Sequence, residues 1–234
     1  GGVNYYPRSY TYFEKYYPKG IENSLHGKRV REFCEDNKGI LWIGTEDGGL
    51  NRFDPKTKTF SFFAPSSGFT NIHGLCMVGD KLWVGTFSKG LKIVDTNTGN
   101  ILKTYQKNAS PRSLIDNSIF AICRTTTGDI YLGTMFGLLR YNEQTDDFDR
   151  IEELAGRFVY DIKEDSGGNL WLATYVNGAY CYNVSEKKWK NYVHNESNKE
   201  SLPYDKVLSI FEDSHRQIWL TTQGGGFCLF HPET

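Results

Sequence analysis

Three kinds of residue in this chain have the chemistry for a site: glycine-rich loops after apolar runs, five histidines and five cysteines. The clearest loop is GILWIGTEDGGLNRFD at 39–54. A loop of that kind after a strand can cradle a phosphate on its backbone N–H groups. A phosphate loop is needed once per site, yet this one returns. It reappears as KLWVGTFSKGLKIVD at 81–95, DIYLGTMFGLLRYN at 129–142, NLWLATYVNGAYCYN at 169–183 and QIWLTTQGGGFCLFH at 217–231. The motif is therefore architecture. The histidines, His26, His73, His194, His215 and His231, all fall in loops, turns or strand ends. None forms a metal-ligand pair, and H-E-x-x-H, G-x-S-x-G and P-loop motifs are absent from the sequence. The cysteines, Cys34, Cys76, Cys123, Cys181 and Cys228, include no C-x-x-C, and their odd number argues against a full disulfide framework. They read as small apolar core residues, with Cys34 and Cys123 at one repeat position and Cys76 one place later. Asp36, Asp165 and Asp213 recur before a turn, but one carboxylate there falls short of the 6–8 oxygens calcium takes; capping the turn is its expected role. No catalytic residue, metal or cofactor is expected.

What must position any site is the repeat itself. Its anchors are Trp42, Trp83, Tyr131, Trp171 and Trp219, spaced alternately by about 40 and about 48 residues, the period of a propeller or solenoid. Each unit reads as four short strands separated by Gly, Asp, Asn and Thr turns. No stretch keeps a 3.6-residue apolar period, so helix is expected to be nearly absent. The expected fold is all-β, a β-propeller with about five visible four-stranded blades. The blades are placed at 26–66, 67–110, 111–153 and 154–198, with partial blades at 1–25 and 199–234. GGVNYYPRSYTYF at the start aligns on GGLNRFDPKTKTF at 48–60, a third strand, and GGGFCLFHPET closes on another third strand. That arrangement predicts a segment of a larger, seven-bladed type of propeller. Fifteen Tyr, fifteen Phe and five Trp suit its interior, and the second-strand aromatics are expected to pack blade on blade. The net charge of −1 and the lack of a basic block disfavour nucleic acid as a partner. No apolar run is long enough to span a membrane.

The repeated string, in the form "eD..G.LWIGT..GGLnrfd", resembles the two-component regulator propeller repeat. NSLHGKRVREFCED at 23–36, RSLIDNSIFAI at 112–122 and ESLPYDKVLSIFED at 200–213 are similar to that family's entry into a blade. The resemblance covers essentially the whole chain. Tyr131 replaces Trp, Ala173 and Thr221 replace the Gly of "GT", and Ser214-His215-Arg216 lacks the Gly turn. The resemblance implies the periplasmic sensor region of a hybrid two-component histidine kinase held in the inner membrane. In such proteins two successive propellers precede a β-domain, a membrane helix, a kinase core and often a DNA-binding regulator. It further implies glycan-derived oligosaccharides as ligands, the remaining blades and a second propeller as partners within the chain, and a homodimer in the intact receptor.

In an antiparallel blade the second-to-third turn and the blade-to-blade connection lie at the same end. Loops varied on one face of a uniform scaffold are where recognition is usually added. On that face Phe87, Phe136 and Tyr175 are expected as stacking platforms, and Glu46, Asp47 and Gln223 as polar contacts. Arg31, His73, Asn117, Arg157 and Lys206, near the starts of innermost strands, are expected to line the channel. Three functions compete: a ligand-sensing or signal-transmitting propeller, a propeller enzyme of the streptogramin-lyase type, and a protein–protein or dimerisation scaffold. The first is expected, on the wording of the repeat.

Overall fold

Short β-branched and aromatic runs, broken by Gly, Asp and Asn, pair as strands because the breaks leave no room for a helix. The computed structural model describes residues 13–63 and 68–232, which fold as nineteen strands and one 3-10 turn at Glu152–Leu154. The first blade is β1 (Val30–Glu35), β2 (Leu41–Thr45), β3 (Leu50–Asp54) and β4 (Thr59–Phe63). The second is β5 (Ile72–Val78), β6 (Lys81–Thr86), β7 (Leu91–Asp95) and β8 (Ile101–Tyr105). The third is β9 (Ile119–Arg124), β10 (Ile130–Thr134), β11 (Gly137–Asn142) and β12 (Asp147–Ile151). The fourth is β13 (Val159–Glu164), β14 (Leu170–Thr174), β15 (Ala179–Asn183) and β16 (Lys188–Tyr192). The fifth has three described strands, β17 (Val207–Glu212), β18 (Ile218–Thr222) and β19 (Gly226–Leu229). Every sheet is antiparallel and in sequence order. The molecule is an all-β propeller. The partial blade expected over residues 1–25 begins outside the described residues, and residues 13–25 carry no strand.

The conserved-looking wording of the repeat resolves into three local devices. In the first, Asp36 uses one carboxylate oxygen to accept the N–H groups of Lys38 and Ile40, at 2.9 and 3.1 Å, and the other to accept Trp42 Nε1 at 3.0 Å. Asp165 does the same for Gly167, Asn169 and Trp171, and Asp213 for His215, Gln217 and Trp219. Each carboxylate thus ties the turn to the anchor indole. Where the fifth blade lacks the turn glycine, Arg216 itself takes a positive φ of 64°. In the second device, the Thr of "GT" closes the next turn: Thr45 Oγ1 donates to Gly49 O at 2.8 Å and accepts Gly48 N at 3.0 Å. Thr86, Thr134, Thr174 and Thr222 repeat the donation.

The third device is the Gly of "GT". A Cβ on Gly44 would sit 2.5 Å from Ile72 Cγ2, one on Gly85 2.8 Å from Ile119 Cγ2, and one on Gly133 2.9 Å from Val159 Cγ1. The glycine is what lets the next blade's inner strand close in. Between blades lie the cores. Trp42, Leu50, Phe69, Ile72 and Leu82 join blades one and two; Trp83, Leu91, Ile119, Leu139 and Phe148 join two and three. Leu138, Val159, Leu172 and Tyr180 join three and four, and Trp171, Ala173, Val207 and Leu220 join four and five. Trp42, Trp83, Tyr131 and Trp171 pack blade on blade as expected, whereas Trp219 meets Phe227 of its own blade, with ring centroids 5.8 Å apart.

Strand pairing corrects one expectation. Cys34, Cys76 and Cys123 lie opposite Trp42, Trp83 and Tyr131, so all three are equivalent. Cys76 looks displaced in sequence because the turn after β5 is one residue shorter. All five cysteines are free thiols. Burial pushes Cys34 and Cys123 up to about 11 and Cys181 to about 12, which keeps them protonated and unreactive.

Candidate functional site

Each inner strand carries the same irregularity. In β1 the pairing jumps from Val30–Thr45 to Glu32–Gly44 and leaves Arg31 out of the ladder. The same jump leaves out His73 in β5, Phe120 in β9, Tyr160 in β13 and Leu208 in β17. A bulge re-aims the side chain it carries. Here it turns five equivalent residues toward the axis, where all of them line one central cleft of about 330 Å³ together with Glu32, Asp161, Lys163 and Ser209.

On the face of the second-to-third turns, the cleft opens between rings. Phe120 is the hub, with His73 at 4.6 Å, Phe87 at 6.1 Å, Phe158 at 4.5 Å and Tyr160 at 5.7 Å between centroids. Tyr175 extends the row, stacked on Phe158 at 5.1 Å. The rings thus span blades two, three and four, while the ends of the row are polar. On the first blade Glu46 accepts from Arg29 at 2.9 Å and from Arg31 at 2.5 Å, so both guanidiniums share one carboxylate. On the fifth blade Lys206 Nζ lies 3.7 Å from the Tyr175 ring centroid. Deeper in the cleft, Asp161 accepts Ile162 N and Ile210 N, which fixes it across the fourth and fifth blades. Burial lowers His73 to about 4, with Arg31 adding to the effect and Glu46 opposing it. His73 is therefore a neutral imidazole at neutral pH, able to donate from one ring nitrogen and accept at the other. Burial raises the Glu32 carboxyl above the usual range.

Of the residues picked from sequence, the structure brings together Phe87, Tyr175, His73, Arg31, Glu46 and Lys206. It does not bring in the others. Phe136 is 53% exposed at a loop tip. Asp47 accepts Lys28 N and Arg29 N, which ties its turn to the connection that enters β1. Asn117 is spent on Lys107 N through its side chain and on Gly90 N through its carbonyl. Gln223 contributes a backbone N–H to Lys206 O. Arg157 lines no part of the cleft, and its Nε is buried without a hydrogen-bond partner. Phe120, Phe158 and Tyr160 were missed. For two of these a signal existed: Arg31, Phe120, Tyr160 and Leu208 each stand eleven residues before their anchor aromatic, and His73 ten before its own. Counting back from the anchors finds them; reading loop composition does not. A larger hollow of about 600 Å³ lies between the fourth and fifth blades, lined by Trp171, Tyr192, Cys228 and Phe230. It flanks the edge of β19, where the other sheets have a fourth strand, and shares no lining residue with the central cleft.

A profile of the family described as two component regulator propeller matches residues 24–47 and 153–176. Histidine kinase P4 of Formosa agariphila is 30% identical over the whole of this chain, which spans 18% of that protein's length. Among solved structures, the extracellular domain of a hybrid two-component system from B. thetaiotaomicron matches with a TM-score of 0.73 and 24% identity, over 92% of this chain and 28% of that one. Virginiamycin B lyase from Staphylococcus aureus matches with a TM-score of 0.63 and 15% identity, over 92% and 73%. At those identities the solved structures establish the fold alone. Among the described residues no helix is long and apolar enough to cross a membrane.

Proposed function

We propose that this chain, which carries two-component regulator propeller repeats, is a ligand-binding and signal-transmitting part of the sensor of a hybrid histidine kinase. On this reading it faces the periplasm from an inner-membrane protein and answers to glycan-derived oligosaccharides. The further blades, a second propeller and a second copy of the receptor relay the signal. The observation that carries the reading is the row of rings at the cleft mouth. Sugar rings present apolar C–H faces that stack on aromatic side chains, while their hydroxyls need donors and acceptors of the kind His73, Arg31 and Glu46 supply at the edge. The similarity to a histidine kinase along the whole chain supports the signalling half.

Isothermal calorimetry of the full-length protein against a panel of oligosaccharides tests it. Binding is expected from at least one, weakened about tenfold or more by Phe120→Ala or Tyr175→Ala, since each removes a stacking surface. Binding that both variants leave intact would move the site off this face. A folded protein that binds none of the panel would favour a docking or dimerising propeller.

A further inference from the structure

The row of rings ends against a cation that lacks an acid. Lys206 lies over Tyr175, and no carboxylate pairs with it among the described residues. Asp205, its neighbour in the chain, is turned to His194 N at 2.6 Å. The opposite end differs, since Glu46 already holds Arg29 and Arg31. Within the cleft the two acids are also engaged: Asp161 by two backbone N–H groups and by Lys163 at 3.8 Å, and Glu32 by Phe33 N. The mouth is therefore cationic at both ends, with one carboxylate already engaging two guanidiniums on the first blade and none engaging Lys206 where the fourth meets the fifth. An ammonium resting on a ring is held more weakly than one hydrogen-bonded to an anion.

We propose that the ligand is an acidic oligosaccharide whose carboxylate or sulfate group is held by Lys206. This rests on the glycan-sensing reading and narrows it. The acidic group draws the ammonium off Tyr175, and the ring so released stacks on the sugar unit that bears the acid. Neighbouring units then lie along Phe158, Phe120 and Phe87 toward the first blade, where Glu46 already occupies both guanidiniums. Lys206 thus sets both which sugars bind and which way round they lie.

The test titrates the full-length protein with three oligosaccharides of equal length: neutral, uronic-acid-containing and sulfated. Each is also titrated against Lys206→Met, which keeps the aliphatic stem, and Lys206→Arg, which keeps the charge; circular dichroism confirms that the variants fold. One acidic arm is expected to bind about tenfold or more tighter than the neutral one, as a charge-assisted hydrogen bond allows. That preference disappears in Lys206→Met, returns in Lys206→Arg and shrinks as salt rises. The arm that shows it distinguishes carboxylate from sulfate. Equal binding of neutral and acidic sugars, or a preference that survives Lys206→Met, overturns the proposal and leaves the sensor reading standing. Failure of every arm on folded protein overturns the sensor reading, and this inference with it.

Discussion

At Asp36 one buried carboxylate does three jobs, accepting two turn N–H groups and the indole N–H of fully buried Trp42. Asparagine at that site keeps one oxygen for the turn and sets an amide donor against the indole donor. Asp36→Asn should therefore cost about 1–3 kcal/mol, the penalty of leaving a buried donor unmet. Denaturant unfolding of Asp36→Asn, Trp42→Phe and the double variant would measure it. Strong coupling between the two sites is expected, and additive effects would show that the indole bond contributes nothing. In the second blade Trp83 takes the anchor position without any such aspartate: Met77 stands six residues before it, and Thr125 before Tyr131 in the third, where the first, fourth and fifth blades carry Asp. The burial of Trp83, at 5% exposure, holds the second blade by packing.

At the scale of the strand, the Gly of "GT" is the residue that sets blade spacing. Gly85→Ala would put a methyl 2.8 Å from Ile119 Cγ2 and 3.1 Å from Ile119 O, and the backbone oxygen cannot rotate away. The expected cost is about 1–3 kcal/mol of overpacking, read as a lower unfolding midpoint. Unchanged stability would mean the blades can separate freely. Ala173 is compatible with the fold because its methyl enters the fourth–fifth core beside Val207. These relations explain what could be read from sequence and what could not. The blade order, the turn aspartates and the anchor aromatics were legible because each repeats with fixed chemistry. The inner-strand residues were legible only in part. Arg31 and His73 stand out as polar groups near a strand start, whereas Phe120 and Tyr160, at the equivalent bulge, are aromatics of the same type as those that fill the core. A bulge shifts the side-chain alternation by one residue and leaves no compositional trace. Asn117 and Arg157 sit three residues earlier, in the connections, where loop chemistry claims Asn117 and leaves Arg157 outside the cleft.

At the scale of the molecule the two faces are held differently. On the face of the first-to-second turns, successive blades are tied by hydrogen bonds. Asn37 Nδ2 donates to Gly79 O, Thr126 donates twice to Glu164, and Ser166 twice to Glu212. On the opposite face, rings 4.5–6.1 Å apart bridge blades two to four beside bonds from Gly90 N to Asn117 O, Ser88 N to Ser118 Oγ and Gly178 N to Asp205 O. The cores join only consecutive blades, so stability is closer to a chain of neighbour terms than to one shared core. A lesion at one interface should then open the blades on either side and spare the rest. In Gly85→Ala, native-state hydrogen exchange should quicken about 5- to 150-fold in β6 and β9, the span that corresponds to about 1–3 kcal/mol. Amides of β14 and β18 should keep their protection, because neither strand touches the altered interface. Equal acceleration in all five blades would instead make the propeller one cooperative unit. In that case a ligand at the cleft mouth would act by stiffening the whole arc rather than by drawing blades two to four together.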